Sequence, residues 1–233
     1  MSAVTFLGHS GFLVELPQAL LLFDWWKGDL PPLPAGKPLL VFASHRHEDH
    51  FSPAIFSLED GSRPTAFLLG DDIRLSGQVP QAGPAGRYLF LAGGTQAEPF
   101  PGITVEALPS TDEGVAFLVT AADTTVFHAG DLNWWHWEGE DPAWNQAMAA
   151  DFQRACQPLQ GRRLDIAMLP LDPRLGKAGT LGPRHFLETA EIRRFFPMHQ
   201  WEDFSFTDDF LRDFPQFAGR TVPVRRNGQR WEL

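Results

Sequence analysis

Short apolar runs bounded by Gly, Pro and Asp dominate the first half of the chain. Val4–Leu7 and Phe12–Leu16 flank "GHSG" and predict a hairpin. Leu20–Phe23, Leu39–Ala43, Ala66–Leu69, Tyr88–Leu91, Ile103–Leu108, Val115–Val119 and Thr125–His128 read as further strands. A helical pattern comes later. Asp141 is an N-cap candidate with Pro142 at the first helical position, and Trp144, Met148, Phe152 and Ala155 follow at helical spacing. Ile166–Leu169 reads as a buried strand, Pro183–Ala190 and Asp208–Phe214 as helices, and Thr221–Val224 as a last strand. The Pro-rich stretches Leu30–Pro38 and Val79–Arg87 are closely flanked by strands, so they are expected to be surface loops, not linkers. Two blocks of strands, each followed by helix, predict a two-sheet core covered by helices in a single domain, residues 1–233.

Composition narrows the partners. The net charge is −10 with the acids spread along the chain, where a nucleic-acid or anionic-membrane binder needs clustered Lys and Arg. A small-molecule substrate is therefore expected, with no nucleic acid and no membrane; oligomeric state has no signature. The one cysteine, Cys156, excludes a disulfide within one chain and fits a reducing compartment. "MSAVTFLGHSGFLVEL" has no basic n-region, and no apolar run reaches membrane-spanning length, so a cytoplasmic location is expected.

The chemistry concentrates in "ASHRHEDHFS", Ala43 to Ser52. The cluster begins where the buried-strand pattern "PLLVFAS" stops, which is where strands present functional loops. His45 and His47 are two residues apart, so an extended backbone points both imidazoles to one side; Asp49 and His50 fall where the chain turns. Imidazole plus carboxylate suits zinc, and also manganese or iron. A solvated charged loop is the bland alternative.

His45-x-His47-x-Asp49-His50 resembles the signature of the metallo-β-lactamase-fold hydrolases, and the likeness extends over most of the chain. "LGHSGFLVE" and "LLLFDWW" look like that fold's opening strands. "FHAGDLN" looks like the strand ending in its metal-bridging aspartate, here Asp131. "FFPMHQW" looks like its last histidine-bearing strand end, here His199. The size and "HAGD" resemble the stand-alone branch that includes ascorbate-6-phosphate lactonase, and "STDEGVAFLV" with "GDLNWWHW" resembles a bacterial subgroup of it. The resemblance implies a four-layer αββα sandwich with two divalent metal ions at one edge, zinc first, manganese or iron also suited. His45 and His47 would hold metal 1. Asp49, His50 and His199 would hold metal 2, and Asp131 would bridge.

One position departs from the pattern. The family carries a further metal-1 histidine after a central strand, and the matching place, "LPSTDEG", has Asp112. Three readings are open: Asp112 stands as a ligand in histidine's place, metal 1 is lost, or Asp112 is only a turn residue. As a ligand it makes the set harder and leans toward manganese or iron.

Six of eight tryptophans sit beside candidate site residues; Trp144 and Trp231 are the exceptions. Trp134 and Trp135 are the candidate substrate-binding pair, as an aromatic wall with indole donors. His136 is a candidate proton donor. Arg174, after the strand at Ile166–Leu169, suits a carboxylate or phosphate, with an Asp172–Arg174 ion pair as the structural alternative. His128 reads as a packed or supporting residue; His9 carries no local signal, though the opening hairpin could bring it near.

The chemistry implied is attack by a metal-bridged hydroxide on an ester, lactone, amide or phosphodiester bond, with Asp49 orienting the nucleophile. Two alternatives stay open. One is a di-iron redox protein, although flavodiiron relatives replace one histidine of the first motif with a carboxylate and here that motif is intact. The other is a non-catalytic binding protein with a degenerate first metal site.

Overall fold

The computed structural model describes residues 2–80 and 87–233. The chain opens with β1 (Ala3–Gly8), β2 (Gly11–Glu15), β3 (Leu20–Phe23), β4 (Leu39–Ala43), β5 (Thr65–Gly70) and β6 (Arg87–Leu91). It continues through β7 (Gln96–Phe100), β8 (Ile103–Pro109), β9 (Val115–Ala121) and β10 (Thr124–His128) to the helix α1 (Pro142–Cys156). Then come β11 (Arg163–Leu164), β12 (Ile166–Pro170), α2 (Leu181–Thr189), β13 (Glu191–Ile192), β14 (Phe195–Met198), α3 (Phe206–Asp213) and β15 (Arg230–Glu232). One large sheet has the order β15-β1-β2-β3-β4-β5-β6 and a second β14-β12-β10-β9-β8-β7, while β11 and β13 form a small two-stranded sheet. Most of the Val79–Arg87 loop lies outside the described residues.

Alternation along the parallel strands builds two cores. Leu21, Phe23, Leu40, Phe42, Ala66 and Leu68 face inward, joining residues of the second sheet. Their neighbours Leu20, Leu22, Leu39, Val41, Phe67 and Leu69 face outward into a second cluster. Both faces of these strands are covered, so they read as unbroken apolar runs. The outward cluster is capped by 3₁₀ turns at Pro53–Leu58 and Asp71–Ser76, through Ile55 and Ile73, so this outer layer is built of short turns rather than long helices. Asp141 caps α1 as the pattern predicts, its Oδ1 accepting from Ala143 N at 2.7 Å.

Two differences from the sequence pattern have plain causes. Thr221–Val224 is not a strand. Thr221 makes a single bridge to Phe195, and Pro223, lacking an N–H, cannot extend the ladder. The sheet instead gains β15 against β1, with Val4 opposite Trp231. The β7 strand, "QAEPF", escapes prediction because it is a polar edge strand carrying Pro99, which an edge tolerates.

The Pro-rich Leu30–Pro38 lies in the long crossover joining parallel strands β3 and β4. Its consequence is directional. The carboxyl ends of β3 and β4 lie side by side, as do those of the mutually parallel β10, β12 and β14. The two sets of ends meet at one edge of the sandwich.

Candidate metal centre

Each of those strand ends delivers a polar side chain. Asp24 follows β3, Ser44 to His50 follow β4, Asp131 follows β10, Asp172 follows β12 and His199 follows β14. In open α/β sheets the carboxyl ends of strands are where ligands bind. The backbone is strained here. Among the described residues six non-glycines have positive φ, and five of them (His9, Asp24, His199, Trp201 and Glu202) belong to this edge. Such residues persist only where the surroundings hold them in place.

Asp24 organises the first sheet's contribution. It is fully buried and accepts from Ser44 N at 2.8 Å, Ser44 Oγ at 2.6 Å and His50 Nδ1 at 2.7 Å. Its register explains this: Phe23 pairs with Phe42, which places Asp24 beside Ser44. The Ser44 hydroxyl proton is committed to a carboxylate, so His45 Nδ1–H donates to Ser44 Oγ, at 3.0 Å. On the second sheet His199 Nδ1–H donates to Asp172 Oδ2 at 2.9 Å. All three imidazoles thus have Nδ1 engaged and Nε2 turned to Asp131. The distances are 3.3 Å from His50, 3.5 Å from His199 and 3.8 Å from His45. A carboxylate or hydroxyl behind each imidazole is the arrangement that orients histidine ligands of a metal.

The donors pass a test of fit for a cation. His45 Nε2, His50 Nε2 and Asp131 Oδ1 are buried and have no hydrogen-bond partner among the described residues. Buried polar atoms without partners are rare and costly, and converging lone pairs are what a divalent ion satisfies. Charge agrees. Burial, with the positive His50 beside it, pushes His45 down to about 4, so it is neutral and able to donate a lone pair. Burial opposes protonation of His50 too, but Asp131, Asp24 and Asp49 outweigh it and hold that imidazole up at about 9 in the metal-free protein. Against its burial, His199 and Arg174 hold Asp172 down at about 2.

His47 and Asp112 lie on the open side. Ligating atoms of His47, Asp112 and Asp131 come within 4.8 Å of one another, so the chain does bring the aspartate standing in the histidine's place to this group. Gly114 makes the approach possible: it takes φ +71°, and a Cβ there would overlap the Ser44 carbonyl. The next residue, Val115, donates its N–H to that carbonyl at 3.0 Å. Thr111 Oγ donates to Asn133 O at 2.7 Å and ties the loop to the segment after Asp131. Burial, then the negative charge of Asp131, pushes the Asp112 carboxyl up from its ordinary range, as expected where a carboxylate faces another without a cation.

A cavity of about 380 Å³ opens over the centre, lined by His47, Asp49, Asp112, Asp131 and His199. Its aromatic wall differs from the sequence expectation. Trp135, Trp137, Trp144 and Trp201 line it, with Met148. Trp144 and Met148 belong here because the stripe on α1 splits: Phe152 and Ala155 enter the core, while Trp144 is 41% exposed. Trp134 is not in this wall. It packs on Phe152 and His185, and with His136 lines a separate cavity on the far side of Trp137. Successive residues of this loop point opposite ways, which separates His136 and Trp134 from the cluster.

Arg174 reaches the cavity. Its Nε donates to both Asp172 oxygens at 3.0 Å, and its guanidinium lies 4.4 Å from the Trp201 ring centre and 5.7 Å from that of Trp137. The ion pair read as the structural alternative is thus present, and Nη1 makes no protein hydrogen bond among the described residues. His128 is buried, accepts from Gly130 N and donates to Ser10 O. It stacks on Phe23 with ring centres 5.0 Å apart, a supporting residue.

A family model described as a beta-lactamase superfamily domain matches residues 3–136, which includes His45 to His50, Asp112 and Asp131. The chain belongs to this superfamily. Its fold is the metallo-β-lactamase fold. A UPF0173 metal-dependent hydrolase of Desulforamulus reducens is 26% identical over 216 residues, 84% of this chain and 83% of that one. Igni18, a metallo hydrolase of the archaeon Ignicoccus hospitalis, aligns with a TM-score of 0.62 at 16% identity, over 100% of this chain and 99% of its own. YhfI of Bacillus subtilis, a metallo-beta-lactamase fold protein, gives 0.60 at 14% identity over 100% of both chains. At these identities the two structures speak for the fold.

Sequence reasoning gave no role to Asp24 or to Asp172 as the support of His199, and allowed only that the opening hairpin could bring His9 near, which it does. Asp24 and Asp172 share a signal, an acid immediately after a buried apolar run in a chain of parallel strands. Among the described residues no helix is long and apolar enough to cross a membrane.

Proposed function

We propose that this chain is a metal-dependent hydrolase acting on an ester, lactone, amide or phosphodiester bond of a small molecule. The observation carrying this reading is the set of buried, unpartnered nitrogens of His45 and His50 facing the unpartnered oxygen of Asp131, each imidazole backed by its own hydrogen bond. His45, His47, Asp112 and Asp131 would hold one divalent ion; Asp49, His50, His199 and Asp131 would hold the second. When bound, such ions supply Lewis acidity and bring the pKa of a water toward ~7.

The chain's own residues do the rest. Asp49, ionised and with Oδ2 turned to His9, orients the attacking water and receives its proton. Arg174, held over the Trp201 ring and braced by Asp172, offers Nη1 to an anionic group of the substrate. Trp135, Trp137 and Trp144 enclose an apolar part and exclude water. Zinc suits the imidazole-rich side.

The test is elemental analysis of the purified protein together with turnover on a panel of carboxylic esters, lactones and phosphodiesters. Metal with turnover on one class supports the reading; no metal and no turnover on any class defeats it. One observation favours a second reading. The carboxylates Asp49, Asp112 and Asp131 make a donor set hard enough for two irons. Iron with an oxygen-sensitive optical band, and no hydrolysis, would select redox chemistry.

A further inference from the structure

The "GHSG" turn between β1 and β2 comes from the far end of the sequence, yet it is fastened to this centre at two points. The His9 carbonyl accepts from His199 N at 3.1 Å, and the Ser10 carbonyl accepts from His128 Nε2 at 2.8 Å. The turn holds His9 at φ +52°, a left-handed conformation that a histidine seldom takes. This backbone drives the imidazole inward. Its side chain is 6% exposed, with its ring centre 4.2 Å from that of His199 and 5.5 Å from that of His50. His9 Nε2 is buried, lies 3.2 Å from Asp49 Oδ2 without hydrogen-bond geometry, and has no partner among the described residues. Ligating atoms of His9, Asp49, His50 and His199 all fall within 4.8 Å of one another.

We propose that His9 is a protein ligand of the ion held by Asp49, His50 and His199. This rests on the metal-centre reading above and adds to it an asymmetry. With His9, one ion has three imidazoles and Asp49 beside Asp131, while the other has His45 with His47 and Asp112, the last two exposed. A site saturated by protein donors holds its ion firmly, and one with a free position takes substrate. The ion next to His9 is therefore the retained one, and the ion at His47 and Asp112 is the exchangeable one that meets the substrate.

Calorimetric titration of metal-free protein with Zn²⁺, repeated with Co²⁺ and read by visible absorption, tests this on the wild type and on His9→Gln. Glutamine keeps a polar side chain beside Asp49 but removes the imidazole. The expected result is two binding events in the wild type, of which His9→Gln weakens the tighter at least ~10-fold and changes its cobalt spectrum, leaving the weaker event in place. An unchanged tight event and spectrum would overturn the assignment and leave His9 as a positioning residue for Asp49. Should His9→Gln not fold, anomalous density from zinc-loaded wild-type crystals decides: a peak bonded to His9 supports the proposal, and a peak bonded to Asp49, His50 and His199 alone overturns it. A wild type that takes up no zinc or cobalt takes down both this assignment and the metal-centre reading.

Discussion

On one side of Asp131 stand His45, His50 and His199, with side chains no more than 3% exposed and a carboxylate or hydroxyl fixed behind each. On the other stand His47 and Asp112, open to solvent, with Glu113 Oε2 at 3.6 Å from His47 as the nearest acid. The imidazoles of the first group are backed by Ser44, Asp24 and Asp172; His47, from the same loop as His45 and His50, turns to solvent with Asp112. The difference teaches that this edge combines a rigid half and an adaptable half. In the rigid half the protein has already met the expense of orienting its donors. In the adaptable half a ligand can enter, and there the chain departs from its family's pattern.

The comparison can be broken from its strongest point downward. His50→Ala removes a central donor and leaves the buried Asp24 with only its Ser44 hydrogen bonds and no charged partner of its own, which destabilises by about 3–5 kcal/mol. Thermal unfolding of the metal-free variant should show this drop, and metal analysis should show loss of the tightly held ion with turnover down by more than ~1,000-fold. Asp24→Asn keeps the shape but not the charge, and should weaken metal affinity by about 10–100-fold while the fold survives; titration with Zn²⁺ reads it directly. Asp112→Ala, on the open side, should lose one metal equivalent yet change stability by only about 0.5 kcal/mol or less. If Asp112→Ala keeps its full metal complement, the ligand role of Asp112 is wrong and the adaptable half is smaller than drawn. Arg174→Leu should be mildest, raising KM by roughly 10-fold for an anionic substrate with kcat little changed; an equal loss in kcat would place Arg174 in transition-state binding instead.

The strands were legible wherever burial on both faces made an unbroken apolar run, as at Leu20–Phe23 and Leu39–Ala43. They were not where a polar edge strand or a lone bridge carried the pairing, as at Gln96–Phe100 and Thr221. At the site, the residues close together in sequence, His45 to His50, announced themselves by density alone. Asp131 and His199 were found through family likeness, and both stand at the expected strand ends. The roles of Asp24 and His9 were not legible because they depend on strand register and on a turn's backbone conformation, which no local pattern encodes. The loop after Asp131 misled for the same reason. Its run of aromatics says that something is lined, but only the backbone decides that Trp135 faces the centre while Trp134 and His136 face away.

The most direct test of the central claim is elemental analysis of the purified wild-type protein alongside anomalous diffraction at the absorption edge of the metal found. Two ions per chain, with density on either side of Asp131, one among Asp49, His50 and His199 and one beside His47 and Asp112, is the predicted result. Stoichiometric metal located elsewhere, or none retained after reconstitution with zinc, manganese or iron, would contradict it.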